Sequence, residues 1–308
     1  MKHLIIEKSV QLAQMNKTPV VALETAVLTH GLPHPTNVEL AFDMESVIKE
    51  NKAHPATIAM LDGKLHVGLT PEEVDFLGNP ETPKRKISRR DFGIAMTNRS
   101  NGGTTVCGTL IAANQANIKV FATGGIGGVH RGNSFDISAD LQELSRTPMI
   151  VVCAGAKSIL DLPATIEYLE TMGVPVIGYQ TDEFPAFFSR KSGLPVNHAA
   201  NTPEEVANIA NNHWEMGLTS SILLVVPPPV SSAIDSKDME SIIAIALDEA
   251  EQQMITGSAV TPFLLDKVNH LTKGKSMTAN LALLKNNAKV AAQTAVALGK
   301  QNIGLKLF

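Results

Sequence analysis

Short runs of apolar, often β-branched residues alternate along the chain with longer stretches of helical period. Seven of these runs predict strands: Pro19–Leu23, Thr57–Leu61, Leu65–Gly68, Ile118–Ala122, Met149–Cys153, Pro175–Gly178 and Ile222–Val226. Several are apolar at consecutive positions, as strands buried on both faces should be. Helix starts are marked by caps. Thr36-Asn-Val-Glu39 has the form of a capping box. TPEE occurs twice, at Thr70–Glu73 and Thr202–Glu205, and joins a cap, a proline at the first helical position and a reciprocal glutamate. Thr261-Pro262 and Ser276 are expected to open two further helices, the second rich in alanine and running to about Leu298. Strand followed by helix, repeated, predicts an α/β fold whose mixed, largely parallel sheet is covered on both faces. The doubled TPEE is a shared cap and not a repeat, and Pro227-Pro228-Pro229 is bracketed by a strand and a helix, so one domain over residues 1–308 is expected.

Composition narrows the function classes. Charged residues make up 18% of the 308, below the roughly 25% of an average globular domain, and no low-complexity bias points to disorder. Aromatics are only 4%, which leaves the core to Ala, Val, Ile, Leu and Met and argues against stacking platforms for single-stranded nucleic acid. A net charge of −4 argues against a general polyanion binder, so no nucleic-acid partner is expected. Leu4, Ile5 and Ile6 are followed at once by Glu7 and Lys8, too short a run for a secretory leader, and no apolar stretch approaches the ~18 residues of a membrane span. A cytoplasmic protein without a membrane partner is the expectation. Cys107 and Cys153 sit among apolar neighbours with no metal-type spacing, which reads as two buried reduced thiols.

Several stretches carry candidate chemistry. Thr123–Gly132 holds five glycines in ten residues directly after a strand, a composition that lets backbone N–H groups approach an anion or simply builds a tight turn. It fails as a dinucleotide fingerprint because His130 stands where the third glycine belongs, and Gly155-Ala-Lys-Ser158 lacks the upstream glycine of a P-loop. His30 and His34 have the spacing of a helical metal pair, yet Gly31, Pro33 and Pro35 make that stretch a turn, against a zinc site. Lys84–Arg90 packs five basic residues into seven, either a solvated patch or a source of one or two phosphate ligands. Glu24 ends the strand Val20–Leu23, and Lys157 follows Met149–Cys153 after three small residues. In open α/β sheets ligands bind beyond the carboxyl ends of strands, so both could face one crevice, where a desolvated lysine becomes a nucleophile able to form a Schiff base. Solvated side chains are the alternative. Asp136 and Asp140, four apart in Phe135–Asp140, could hold a hard divalent ion or cap the next helix.

Longer motifs make the chain similar to a known family. VVALETAVLTHGLPHPTN (Val20–Asn37), PATIAMLDGKLHVGL (Pro55–Leu69), ISRRD (Ile87–Asp91), NGGTTV (Asn101–Val106), KVFATGGIGGVHRG (Lys119–Gly132), FDISADLQEL (Phe135–Leu144), VVCAGAKSILDL (Val151–Leu162) and TPFLL (Thr261–Leu265) resemble, in order, the pseudouridine-5′-phosphate glycosidase family, also called indigoidine synthase A-like. Two departures stand out. Thr25 replaces a serine after Glu24, and only Asn133 and Ser134 separate His130-Arg-Gly132 from Phe135, where family members carry a longer insert.

The resemblance implies a three-layer α/β/α fold, a homotrimer and a divalent metal, commonly manganese. It implies cleavage of a small-molecule nucleotide, pseudouridine 5′-phosphate, to uracil and ribose 5-phosphate in a reversible reaction. Carried over residue by residue, it makes Lys157 the nucleophile, Glu24 the acid and Asp136 the metal ligand. It places Lys86, Val106, Ser138, Ala139 and Asp140 on the substrate, with His130 and Asn280 near the ribose phosphate and the uracil. A C-glycosidic bond lacks a heteroatom leaving group, so ring opening by Lys157 through a Schiff base is the expected route. The rival readings are another Schiff-base lyase or aldolase on a phosphosugar and a non-catalytic sugar-phosphate sensor.

Overall fold

A computed structural model describes residues 3–255 and 260–304, without the side chains of residues 133, 134, 261, 262 and 302–304. The chain begins β1 (Leu4–Ile6), α1 (Lys8–Met15), β2 (Val20–Leu23), a π-helical turn (Val27–Gly31), α2 (Thr36–Glu50), β3 (His54–Leu61), β4 (Lys64–Val67) and α3 (Pro71–Gly78). It continues through β5 (Arg85–Ile87), α4 (Phe92–Thr97), β6 (Gly102–Thr104), α5 (Val106–Gln115), β7 (Val120–Ala122), β8 (Val129–His130), β9 (Asn133–Ile137) and α6 (Ala139–Leu144). Then come β10 (Ile150–Cys153), β11 (Leu160–Asp161), α7 (Leu162–Thr171), β12 (Val176–Tyr179), β13 (His198–Ala200) and α8 (Pro203–Glu215). β14 (Ile222–Val225), α9 (Ser236–Gln252), α10 (Val260–Leu271) and α11 (Lys275–Gly304) follow.

The main sheet runs β1-β4-β3-β2-β7-β10-β14-β12-β13, with β6 on β3 and β5 on β6. Only β3–β4 and β3–β6 are antiparallel in it; the expected mixed, largely parallel sheet is what forms. β11, β8 and β9 make a small antiparallel sheet beside it. All seven expected strands are present to within three residues at either end. α11 lies across β2, β7 and β10 and packs on α2 and α8, while α5 covers β2, β3 and β4 and packs on α6, giving three α/β/α layers.

The core has the predicted composition. Val21, Ala22, Val120, Phe121, Ile150, Val151, Ile222 and Leu223 are almost wholly buried, and Phe121 and Phe184 are the aromatics among the largest fully buried side chains. α11 adds Ala288, Ala291, Ala292 and Ala295, whose small side chains let a helix about 45 Å long lie close to the strands. Both cysteines are buried and free, as expected. No helix among the described residues is long and apolar enough to cross a membrane.

The caps divide. Thr70 and Glu73 form a complete capping box on α3. On α8 Thr202 accepts from Glu205 N at 3.2 Å, but the Glu205 carboxylate turns to Asn201 N and His198, so half the box forms. The Thr36–Glu39 box does not form. Pro35 occupies the cap position of α2, Thr36 is already helical, and Asn37 turns inward to donate to Leu28 O and Gly78 O. The last two helices open where expected, although the side chains of Thr261 and Pro262 lie outside the described residues.

Candidate active site

β2, β7 and β10 are adjacent and parallel, so their carboxyl ends deliver three segments to one edge of the sheet: Glu24, Thr123-Gly124 and Ala154–Lys157. Register binds them together. Thr123 N donates to Val152 O at 3.0 Å, Ala154 N to Gly124 O at 2.8 Å, Ile126 N to Gly155 O at 3.1 Å and Lys157 N to Ile126 O at 3.1 Å. From the opposite layer Asn287, in the middle of α11 and fully buried, donates its side-chain N–H to Thr123 O at 2.9 Å. The segment that carries Lys157 is therefore an extension of the sheet and not a free loop. Gly155 has φ +85°, and a Cβ there would run into the Pro185 carbonyl, so glycine is required beside the lysine.

Glu24 accepts a hydrogen bond from the Thr123 hydroxyl. Burial raises its pKa above the ordinary carboxylate value, and Asp140 pushes the same way. Lys157, the Thr123 hydroxyl and Lys86 draw it back. At Lys86, an exposed residue of β5, partial desolvation lowers the pKa most and Lys157 adds to that, against Asp140 and Glu24. Glu24 and Lys86 thus each feel Asp140 and Lys157 as well as one another, which gathers two carboxylates and two amines of the expected set about one crevice.

Asp140 also has a structural task. Its Oδ1 accepts from Cys107 N at 2.9 Å and its Oδ2 from Gly127 N at 2.8 Å, and it is 7% exposed. Of the two readings of the glycine-rich stretch, an anion cradle or a tight turn, the Gly127 N–H fits the second, since this internal carboxylate satisfies it. A Cβ on Gly127 would overlap the Ser138 hydroxyl and approach Asp140 Oδ2, which explains a glycine there. Ser138 caps α6 by accepting from Asp140 N at 3.3 Å, and Ala139 is the exposed first residue of that helix. Val106 is the buried first residue of α5, capped by Thr105.

The basic stretch splits in two. Lys86 belongs to the crevice, whereas Arg89 is drawn away to Glu143, with Nε to Oε2 at 2.8 Å. Glu143 is buried and also accepts from Thr147 at 2.7 Å. Cys107 lies 3.9 Å from it, and burial pushes that thiol up to about 11 and Cys153 to about 12.

His130, on β8, and Asp136, on β9, face each other with Nδ1 to Oδ2 at 4.0 Å, the carboxylate 54% exposed. No three His, Cys, Asp or Glu side chains converge into a metal cage among the described residues. An exposed hard-oxygen donor is nonetheless what Mg2+ or Mn2+ uses when water and substrate oxygens fill the rest of its shell, so Asp136 fits such an ion. Asn280 lines a cavity of about 430 Å³, with Thr29, His30, Phe188, Leu265 and Asn269 among the other walls. The charge of Lys86 is felt both at His30, on the wall of this cavity, and at Glu24. Thr123 and Asn287 are the supporting residues that sequence reasoning missed. The strand that ends at Ala122 pointed to Thr123, but nothing in the sequence marked Asn287 within an alanine-rich helix.

Comparison with known proteins gives the family and the fold. The family model for indigoidine synthase A-like proteins matches residues 9–297. The chain is 50% identical over 301 residues to the pseudouridine-5′-phosphate glycosidase of Caldanaerobacter subterraneus subsp. tengcongensis, covering 97% of this chain and 98% of that protein. It is 48% identical over 301 residues to the protein of that name from Staphylococcus aureus, covering 97% and 98%. The crystal structure of the prealnumycin C-glycosynthase AlnA in complex with ribulose 5-phosphate superposes with a TM-score of 0.91 at 38% identity, covering 99% of both chains. An indigoidine synthase A-like protein from Thermotoga maritima gives 0.88 at 37% identity, covering 96% of this chain and 97% of that one. On sequence and fold alike, the chain belongs to the indigoidine synthase A-like family of enzymes, the family that holds the pseudouridine-5′-phosphate glycosidases.

Proposed function

We propose that this enzyme cleaves the C–C glycosidic bond of pseudouridine 5′-phosphate, reversibly, to uracil and ribose 5-phosphate. The reading rests above all on Glu24: a carboxyl whose burial favours the protonated form, in reach of an amine on the next-but-one strand. Its near relatives carry the name of that activity, and a structural neighbour binds a pentulose phosphate.

In this mechanism Glu24 gives its proton to the ribose ring oxygen as the Lys157 nitrogen attacks C1′, which opens the ring. The ammonium so formed returns a proton to the Glu24 carboxylate, and that proton, delivered to uracil C5, lets the C1′–C5 bond break, its electron pair leaving with the base while the freed lone pair of the lysine nitrogen closes a Schiff base at C1′. Water adds to that carbon and expels the amine, giving ribose 5-phosphate and free Lys157. Lys86 supplies a charge-assisted hydrogen bond to the phosphate, Val106, Ser138, Ala139 and Asp140 position the ribose phosphate with His130, and Asn280 meets the base. Asp136 would hold the divalent metal, Mn2+ by expectation, which when bound adds positive charge beside the phosphate and sugar oxygens. A single-domain chain acting as a cytoplasmic homotrimer completes the reading.

The deciding experiment is borohydride reduction in the presence of ribose 5-phosphate, followed by peptide mass spectrometry, beside an assay of uracil release from pseudouridine 5′-phosphate with and without manganese. An adduct at Lys157 and release of uracil are expected. Release without any trappable adduct refutes the Schiff base. No release on long incubation leaves the sensor or another lyase.

A further inference from the structure

The π-helical turn Val27–Gly31 follows Glu24 closely and carries His30 to the wall of the 430 Å³ cavity that Asn280 also lines. Its hydrogen bonding fixes the state of the ring. The Thr29 hydroxyl donates to Thr25 O at 2.8 Å, one turn back, and so spends its single proton. The same oxygen lies 2.7 Å from His30 Nδ1 and can then only accept, which places the ring proton on Nδ1 and leaves the lone pair on Nε2. Thr29 is buried and tied to the turn, so this choice is made before any ligand arrives. The neighbouring charges favour the neutral ring: burial, Lys86 and Lys84 lower its pKa below the ordinary histidine value, with Asp266 of α10 the acidic group on the same cavity wall.

We propose that His30 Nε2 is a preset hydrogen-bond acceptor for a ring N–H of the substrate's base, and so a specificity-determining residue. The assignment rests on the glycosidase reading above. A base attached through carbon keeps hydrogens on both ring nitrogens, whereas its N-glycoside isomer has lost the one on N1 to the sugar. An acceptor fixed as a lone pair matches either hydrogen, and where it meets N1–H it reads a feature that only the C-glycoside has; a donor at that position would repel the base.

The test uses the whole enzyme with pseudouridine 5′-phosphate and its N1-methyl and N3-methyl analogues, on wild type, His30→Phe and His30→Gln. The His30 ring is desolvated on its Thr29 side but open to solvent over the rest of the residue, so both variants should melt with the wild type. His30→Phe should raise KM about tenfold or more with kcat nearly unchanged, and His30→Gln, whose amide oxygen again accepts, should recover part of the loss. One of the two methyl analogues should bind poorly to wild type and lose that penalty in His30→Phe, which identifies the N–H that is read. An unchanged KM in His30→Phe overturns the assignment, as does a methyl penalty equal in variant and wild type. Wild type that releases no uracil from the parent compound refutes the glycosidase reading itself and the assignment with it.

Discussion

Replacing Asp140 by alanine should destabilise the enzyme strongly, because the carboxylate holds two separate segments of the crevice floor. Its two oxygens accept from Cys107 N and Gly127 N, 2.9 and 2.8 Å away, at a site 7% exposed. Hydrogen bonds to a charged acceptor contribute about 1.5–3 kcal/mol each, and both donors would be left buried without a partner, so the loss sums to about 3–6 kcal/mol. That is a large share of the ~5–15 kcal/mol by which a typical fold is stable. At about 2 °C per kcal/mol for a chain of this size, the melting temperature should fall by about 6–12 °C, read by calorimetry at one fixed scan rate. Asp140→Asn keeps one acceptor but aims an N–H at the other donor, so it should lose about half as much or more. Activity should fall with stability, because Gly127 follows Ile126, whose N–H and C=O pair with Gly155 and Lys157. If Asp140→Ala melts within about 2 °C of wild type, the carboxylate does not hold α5 to the glycine turn, and that account of the crevice floor is wrong.

Three further outcomes follow from the same geometry. The Thr123 hydroxyl favours the ionised form of Glu24, so Thr123→Val should raise the carboxyl's pKa further. Since the acid must carry a proton to act, activity lost as pH rises should then be lost at higher pH than in wild type; a limb that stays in place or moves down contradicts the acid role. The thiols of Cys107 and Cys153, pushed to about 11 and about 12, should resist maleimide at pH 8 in the folded enzyme and both react in urea; rapid labelling without denaturant would contradict their burial. Chelation should abolish turnover and added manganese restore it, while Asp136→Ala should need about tenfold more manganese without a change in melting temperature, the side chain being more than half exposed. Full activity of that variant at wild-type manganese removes Asp136 as the ligand.

The strands legible in the sequence were those whose apolar runs reach the middle of the sheet. β1, β5, β6, β8, β9, β11 and β13 went unread because they stand at the ends of the main sheet, on its side branch or in the small second sheet, where, β1 apart, no run of large apolar residues marks them. Both TPEE caps were legible because proline stands inside the helix they open, whereas at Thr36 a proline before the threonine takes the cap position itself. Glu24 and Lys157 could be singled out because apolar strands lead straight to them. What shapes their environment could not: the Thr123–Glu24 contact spans 99 residues, and the pairing that withdraws Arg89 to Glu143 spans 54. A run of five basic residues looks uniform until a buried carboxylate claims one of them.

The brace from α11 to the end of β7 also sets an order in time. Asn287 meets Thr123 across 164 residues, so the turn that presents a proton donor to Glu24 is finished only when a helix made much later docks on the sheet. Contacts of such long separation carry a large loop-closure cost and form late in folding. On a chain emerging from the ribosome, β2, β7 and β10 can pair while Asn287 is still unmade. The reactive amine is therefore carried through synthesis in an unfinished crevice, and catalytic competence arrives as one of the last events of folding.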